Sequence, residues 1–362
     1  MKMAGKKATM TDRERVEALL KHEKPDRVPL SPCFAQGFCA LYYGVSIGES
    51  YGNPTVHLAA ARKTYRDFGW VWWPFLAYAA MGGWEFGGEI KLPDSEFAQA
   101  PTVSRHPVDT PEEAMKLTMP DIKTAGVIPR MMEFCKLSSQ ERLDNEPWNV
   151  TSMIFGPFTV ACNITGPEKL AKWALKKPET VHYLVRLVND FLIAVAEYWK
   201  DTFGIEGVLP LAAGVTSSNQ IISPKQFEEF VFPYQKELHQ KTLDMGYKNI
   251  YVHICGEQNE NLPYWAQIPM GDPGIISIGH EVELETAAKY FPNDIIFGNL
   301  NPTILQVGTP DDVYEASKVL IERGKKIPGG FIFAPGCEIP PVAPVDNIMA
   351  MTKAVNDFGW YD

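Results

Sequence analysis

The 362-residue chain is 45% hydrophobic and 22% charged, an ordinary globular composition with enough length to bury a large core. Its net charge of −10 argues against a nucleic-acid partner, because phosphate binding needs a basic surface. No apolar run approaches the roughly 18 residues of a membrane span, and the basic start, Met1 to Ala8, carries no apolar stretch of a secretory signal. Six cysteines spread over this length do not form a disulfide framework. Reduced thiols in a cytoplasmic protein, some of them metal ligands, are the reading that fits.

The first predicted element is a helix over 11–22, with Thr11 as N-cap and Glu14 completing a capping box. Pro25 ends it. Strand-like runs then alternate with helical ones. Eight candidate strands fall at 28–34, 70–75, 149–156, 207–213, 249–255, 275–281, 295–300 and 330–334. Most are continuous apolar runs, which suits parallel strands buried on both faces. Helical stretches are predicted near 54–67, 167–203, 223–245, 283–291 and 310–324. Ser223-Pro224 opens one of them with a cap and a first-turn proline, and Thr309-Pro310-Asp311-Asp312 opens another with acids in the first turn. Eight strands with intervening helices predict an α/β chain folded as a one-domain (β/α)₈ TIM barrel over residues 1–362. The irregular stretch 76–148 reads as an insertion after the second strand, holding a hairpin and a helix.

Three residues carry the chemistry. His253 and Cys255 stand two apart at the end of the fifth predicted strand, so they share a face. Cys337 follows the eighth, past a Pro335-Gly336 turn. Active sites of such barrels sit at the C-terminal ends of the strands, which puts all three on the catalytic rim. One imidazole and two thiols suit zinc, and three protein ligands leave a position for a reacting molecule. The alternative is that the cysteines are buried small hydrophobes and His253 a hydrogen-bonded core residue. Glu257, His280 and Glu281 are candidates for a fourth ligand. His280 is also a candidate proton carrier, and Asn219, after the fourth strand, a candidate to orient a substrate oxygen. The remaining cysteines, 33, 39, 135 and 162, read as packing. Tyr234 reads as structural and Asn301 as a turn residue.

Several phrases resemble the uroporphyrinogen decarboxylase superfamily: Asp26-Arg27-Val28-Pro29, Gly156-Pro157-Phe158-Thr159, Ile222 through Phe227 with Phe232-Pro233-Tyr234, Phe297-Gly298-Asn299, and Pro340 through Asn347. They run nearly the length of the chain, and the resemblance implies the same barrel. The decarboxylases carry an arginine-rich loop after the first strand for their substrate's carboxylates. Here that stretch is Pro32-Cys33-Phe34-Ala35-Gln36-Gly37-Phe38, without arginine. The second branch, zinc methyltransferases that work with corrinoid proteins, fits better. Its coenzyme M methyltransferases carry His-x-Cys and a later Cys, and 81 residues lie between Cys255 and Cys337. The resemblance therefore implies that His253, Cys255 and Cys337 hold zinc, that a corrinoid (cobalamin) is carried by a separate partner protein, and that the chain is a monomer or homodimer.

Two directions of methyl transfer are open. A zinc-held thiol such as coenzyme M takes a methyl from methyl-cobalt, or a methyl donor delivers its methyl to Co(I) of the corrinoid protein with zinc polarising the leaving oxygen. Trp70, Trp72, Trp73, Phe75, Tyr78, Trp84 and Phe86 crowd the second strand and the segment after it, and Phe34 and Phe38 follow the first. A flat apolar substrate suits such a wall. Trp84 through Gly88 with Arg105-His106-Pro107-Val108 also resembles the donor-side enzymes. The sequence thus favours O-demethylation of a methoxylated aromatic, with Phe34, Trp73 and Asn219 as substrate contacts. Thiol methylation is the alternative, and a barrel that only binds a tetrapyrrole or a protein is a third reading, one with no use for the zinc set.

Overall fold

In the computed structural model, which describes residues 8–32 and 34–361, six parallel strands lie side by side in chain order. They are Val150–Met153, Val208–Ala213, Tyr251–Ile254, Ile275–Ile278, Ile295–Leu300 and Phe331–Pro335. Every residue in them is buried. That is the reason for their continuous apolar runs: helices cover one face and the barrel interior fills the other.

The two other expected strands, 28–34 and 70–75, form no ladder among their described residues. Single hydrogen bonds still close the ring through them. Ser31 N–H donates to Phe333 O (3.0 Å), Phe333 N–H to Pro29 O (2.9 Å), Val71 N–H to Leu30 O (2.8 Å) and Thr151 N–H to Pro74 O (2.9 Å). Pro29, Pro32 and Pro74 have no N–H to give, so a regular ladder cannot form there. The closed ring makes the fold a (β/α)₈ barrel.

The helices follow their local signals. Asp12–Leu19 is shorter than predicted but has the Thr11–Glu14 capping box. The stretch 167–203 is two helices, Pro167–Lys176 and Pro178–Phe203, because Pro178 forbids helical continuation at Lys177. Likewise 223–245 divides at Val231 into Pro224–Phe230 and Phe232–Asp244. Helices Gln36–Tyr43, Pro157–Thr165 and Val345–Phe358 went unpredicted. The insertion has the expected hairpin, Glu89–Lys91 against Thr102–Arg105, and helix Ile128–Ser138. Buried Glu146 ties its end to helix Pro54–Phe68, accepting from Arg62 Nε (3.0 Å) and Nη2 (3.3 Å). No helix among the described residues is long and apolar enough to cross a membrane.

The aromatic crowd around 70–86 is mainly core. Trp70, Trp72, Trp73 and Tyr78 are buried. Trp73 plugs the barrel interior, stacked on Trp148 at 4.9 Å between ring centroids and 5.8 Å from both Tyr251 and Phe297. A barrel interior must be filled by side chains, and this tryptophan fills it. Cys39, Cys135 and Cys162 are buried free thiols, each pushed up to about 12 by burial, as packing residues should be. Cys33 lies outside the described residues.

Candidate metal centre

Strand alternation places Tyr251 and His253 on the inner face of the barrel, and Cys255 follows just past the strand end. The parallel register sets His253 beside Ser277 on the next strand. There the serine Oγ lies 2.8 Å from His253 Nδ1. With Nδ1 so engaged, Nε2 is the nitrogen left for a ligand. The Phe34 ring packs on the imidazole at 4.8 Å between centroids.

Cys337 arrives from the other side of the ring. The turn after Phe331–Pro335 packs so closely on the neighbouring loop that a side chain at Gly336 would meet His280 N at 2.8 Å. This tight approach carries Cys337 to Cys255. The ligand atoms of His253, Cys255 and Cys337 all lie within 4.8 Å of one another. His253 and Cys255 are buried, whereas Cys337 is the exposed member. Hydrogen bonding from Cys255, then from His253, holds the Cys337 thiol well below its ordinary range, and the same bond pushes Cys255 up. Two sulfurs and a nitrogen at this spacing, with the imidazole oriented by a hydroxyl, fit a tetrahedral zinc site with one side open.

The cluster forms one wall of a cavity of about 280 Å³. Phe34, Phe155, Ala77, Ala79, Ala100 and Ala213 give it an apolar body. Glu338, Gln36, Tyr51, Thr159, Asn163 and Thr216 supply polar atoms. Burial, and then the neighbouring Cys337, pushes the Glu338 carboxyl up to about 8.

Of the predicted contacts, Phe34 lines this cavity, whereas Trp73, Asn219 and His280 do not. Asn219 is spent on its own loop, donating to Asn261 Oδ1 (2.9 Å) and accepting from Glu260 N–H (3.2 Å). His280 faces a separate hollow beside Glu283 and Arg323, its Nδ1 3.4 Å from Glu281. Substituting His280 by alanine should change activity by no more than about twofold, the usual range for a surface change. A large loss in kcat measured on the purified variant would return it to the reaction. Among the candidates for a fourth ligand, Glu257 is engaged by Asn259. Glu281 comes nearer, its Oε2 filling the space beside Gly279, whose missing side chain would also meet Cys255 Cα at 3.3 Å.

The sequence reading missed Glu338, Phe155, Thr159 and Thr216. Signals for them existed. Glu338 adjoins Cys337, Thr159 sits in the Gly156-Pro157-Phe158-Thr159 phrase, and Phe155 and Thr216 stand just past strand ends on the rim.

A closed parallel barrel with a thiol–imidazole cluster on its C-terminal rim has the design of a barrel enzyme with a metal-assisted site. The chain belongs to the uroporphyrinogen decarboxylase (URO-D) family, which it matches over residues 11–358. It is 31% identical to the methylcobamide:CoM methyltransferase MtbA of Methanosarcina acetivorans, over 96% of this chain and 98% of that one. It is 25% identical to the methylcobamide:CoM methyltransferase MtaA of Methanosarcina barkeri, over 96% and 98%. A uroporphyrinogen decarboxylase of Geotalea daltonii is 25% identical over only 72% of this chain and 74% of its own. A solved methyltransferase from Methanosarcina mazei shares the fold, with a TM-score of 0.78 at 21% identity over 96% of this chain and 99% of that one. Within the family, the chain is an enzyme of the methyltransferase branch.

Proposed function

We propose that the chain transfers a methyl group from the cobalt of a separate corrinoid protein to a small thiol, with one zinc held by His253, Cys255 and Cys337. The observation that carries this reading is the three-ligand cluster opening onto an apolar cavity. The named relatives, methylcobamide:CoM methyltransferases aligned along nearly the whole chain, point the same way.

A bound zinc ion supplies positive charge that lowers the pKa of a thiol ligating it. The protein's own groups do the rest. Ser277 fixes the imidazole, and all three residues of the cluster line the cavity. Phe34 and Phe155 give the cavity beside the cluster an apolar wall. The thiol's proton leaves to solvent. Its sulfur then forms the S–CH3 bond as the Co–C bond breaks, and that bond's electron pair remains on cobalt. The corrinoid protein supplies both methyl and leaving group, so the chain needs only to hold and aim the thiol.

The methoxylated-aromatic donor favoured by the sequence has less behind it. Its expected wall is largely barrel core, with Phe34 and Phe155 left in the cavity, and the methyltransferase relatives named above are thiol-side enzymes.

Adding thiol to the zinc-loaded protein should raise the sulfur ligands counted by X-ray absorption from two to three, with release of about one proton. An unchanged sulfur count would overturn the thiol reading. Ser277→Ala should weaken zinc binding roughly 10–100-fold in a chelator competition, the usual effect of losing a partner behind a ligand. Undiminished affinity would show that the serine does not orient His253.

A further inference from the structure

The shape of the cavity bears on which thiol enters, given the methyl-transfer reading above. Its polar side chains are mostly committed. Gln36 donates to Tyr51 Oη (2.8 Å) and Ala77 O (3.0 Å) and accepts from Ala77 N–H (3.0 Å). Asn163 donates to Ala79 O (2.7 Å) and Met81 O (2.8 Å). Thr159 accepts from Thr216 N–H (3.3 Å). The Thr216 hydroxyl and Glu338 Oε1 have no hydrogen-bond partner among the described residues. Between them they can donate and accept, so they set no preference for the charge of a ligand.

The apolar part of the wall has a direction. Ala77 is buried, and Ala79, two residues on, is exposed; Ala213 is buried, and Val215, again two residues on, is exposed. These two pairs line the cavity from the interior of the protein to its surface. Together with the Phe34 and Phe155 rings they make an apolar track in the cavity that His253, Cys255 and Cys337 also line. The alanines leave it wide. A dry apolar cavity of roughly 150 Å³ holds benzene, and this one measures about 280 Å³. With a metal ion and the transferred methyl inside, it keeps room for a hydrocarbon of roughly six to eight carbons on that scale. A two-carbon thiol would leave most of the track facing water. Each methylene laid along it instead would raise affinity by up to about fourfold.

We infer that the methyl acceptor is a thiol with a hydrocarbon body of roughly six to eight carbons, lying along Ala77, Ala79, Ala213 and Val215. This separates the chain from relatives named for coenzyme M, whose chemical form is 2-mercaptoethanesulfonate. The reaction is unchanged: the acceptor's sulfur gains the methyl, its proton goes to solvent, and the electron pair stays on cobalt.

The test runs the zinc-loaded full chain with methylcobalamin and straight-chain thiols from ethanethiol to octanethiol, with 2-mercaptoethanesulfonate alongside at equal thiolate concentration. The alkanethiols share nearly one thiol pKa, so chain length is the variable. Binding is read separately, by the sulfur count at zinc as each thiol is titrated in. Affinity and kcat/KM should rise about two- to fourfold per methylene up to hexanethiol and level off by octanethiol as the track fills. Val215→Asn, a neutral change at the exposed end of the track, should shrink the ratio of hexanethiol to ethanethiol by about threefold or more. A series that stays flat or falls with length, an undiminished ratio in the variant, or 2-mercaptoethanesulfonate binding and reacting better than hexanethiol overturns the inference and leaves the thiol reading standing. No thiol of any kind joining the zinc overturns the thiol reading itself and the inference with it.

Discussion

Replacing Cys337 by serine is expected to strip the zinc and stop methyl transfer together. Serine keeps the size of cysteine, but its hydroxyl does not ionise near neutral pH and is a poor match for zinc in a sulfur–nitrogen set. Cys337 is also the exposed member of the cluster, at the cavity wall rather than in the packed interior. The variant should therefore fold, with a melting point close to that of the metal-free parent protein. Bound zinc should fall to about a tenth of an equivalent or less, and methyl transfer by roughly 100-fold or more, beyond the effect of losing a supporting residue. Metal analysis and the rate, measured on one preparation, check this. Normal zinc with full activity would remove Cys337 from the ligand set.

Trp73→Ala should act on stability instead. The ring is completely buried, stacked on Trp148 and set against Tyr251 and Phe297 in the middle of the barrel. Its loss leaves a large cavity between strands, which typically costs about 3–5 kcal/mol. Urea unfolding of the variant should show that loss. Trp73→Phe should recover much of it by filling part of the space. If Trp73 were a substrate contact, as its place in the aromatic run suggested, stability would hold and KM would rise. That outcome would reverse the assignment to the core.

These two residues also show what can be read without coordinates. Cys337 was legible because its argument is local. A strand ending in a glycine turn sets a side chain on the rim, and a two-residue spacing sets His253 and Cys255 on one face. Trp73 was misread because local pattern cannot say which face of a strand an aromatic occupies. Only closure of the ring turns that face inward. The first two strands were legible as extended chain but not as irregular, although Pro29, Pro32 and Pro74 carried the warning. The cavity wall was the least legible part. Phe155 and Thr159 follow one strand and Thr216 the next, at rim positions that the strand pattern does not mark for the site. Asn219 shows the reverse case, since it sits on a rim loop but its amide is consumed within that loop. The preference for an aromatic donor rested on this aromatic run and on a resemblance of Trp84 through Gly88 to donor-side enzymes; most of the run is core, and the methyltransferase relatives named above are methylcobamide:CoM methyltransferases.

The measurement that bears most directly on the proposed function is an anaerobic assay of the purified, zinc-loaded protein, read by cobalt absorbance. Methyl-corrinoid mixed with thiol should lose its methyl and yield Co(I) and the methyl thioether, at a rate that Cys337→Ser abolishes. If thiol left methyl-cobalt untouched while Co(I) was methylated by a methoxylated aromatic with release of the phenol, the thiol reading would be contradicted.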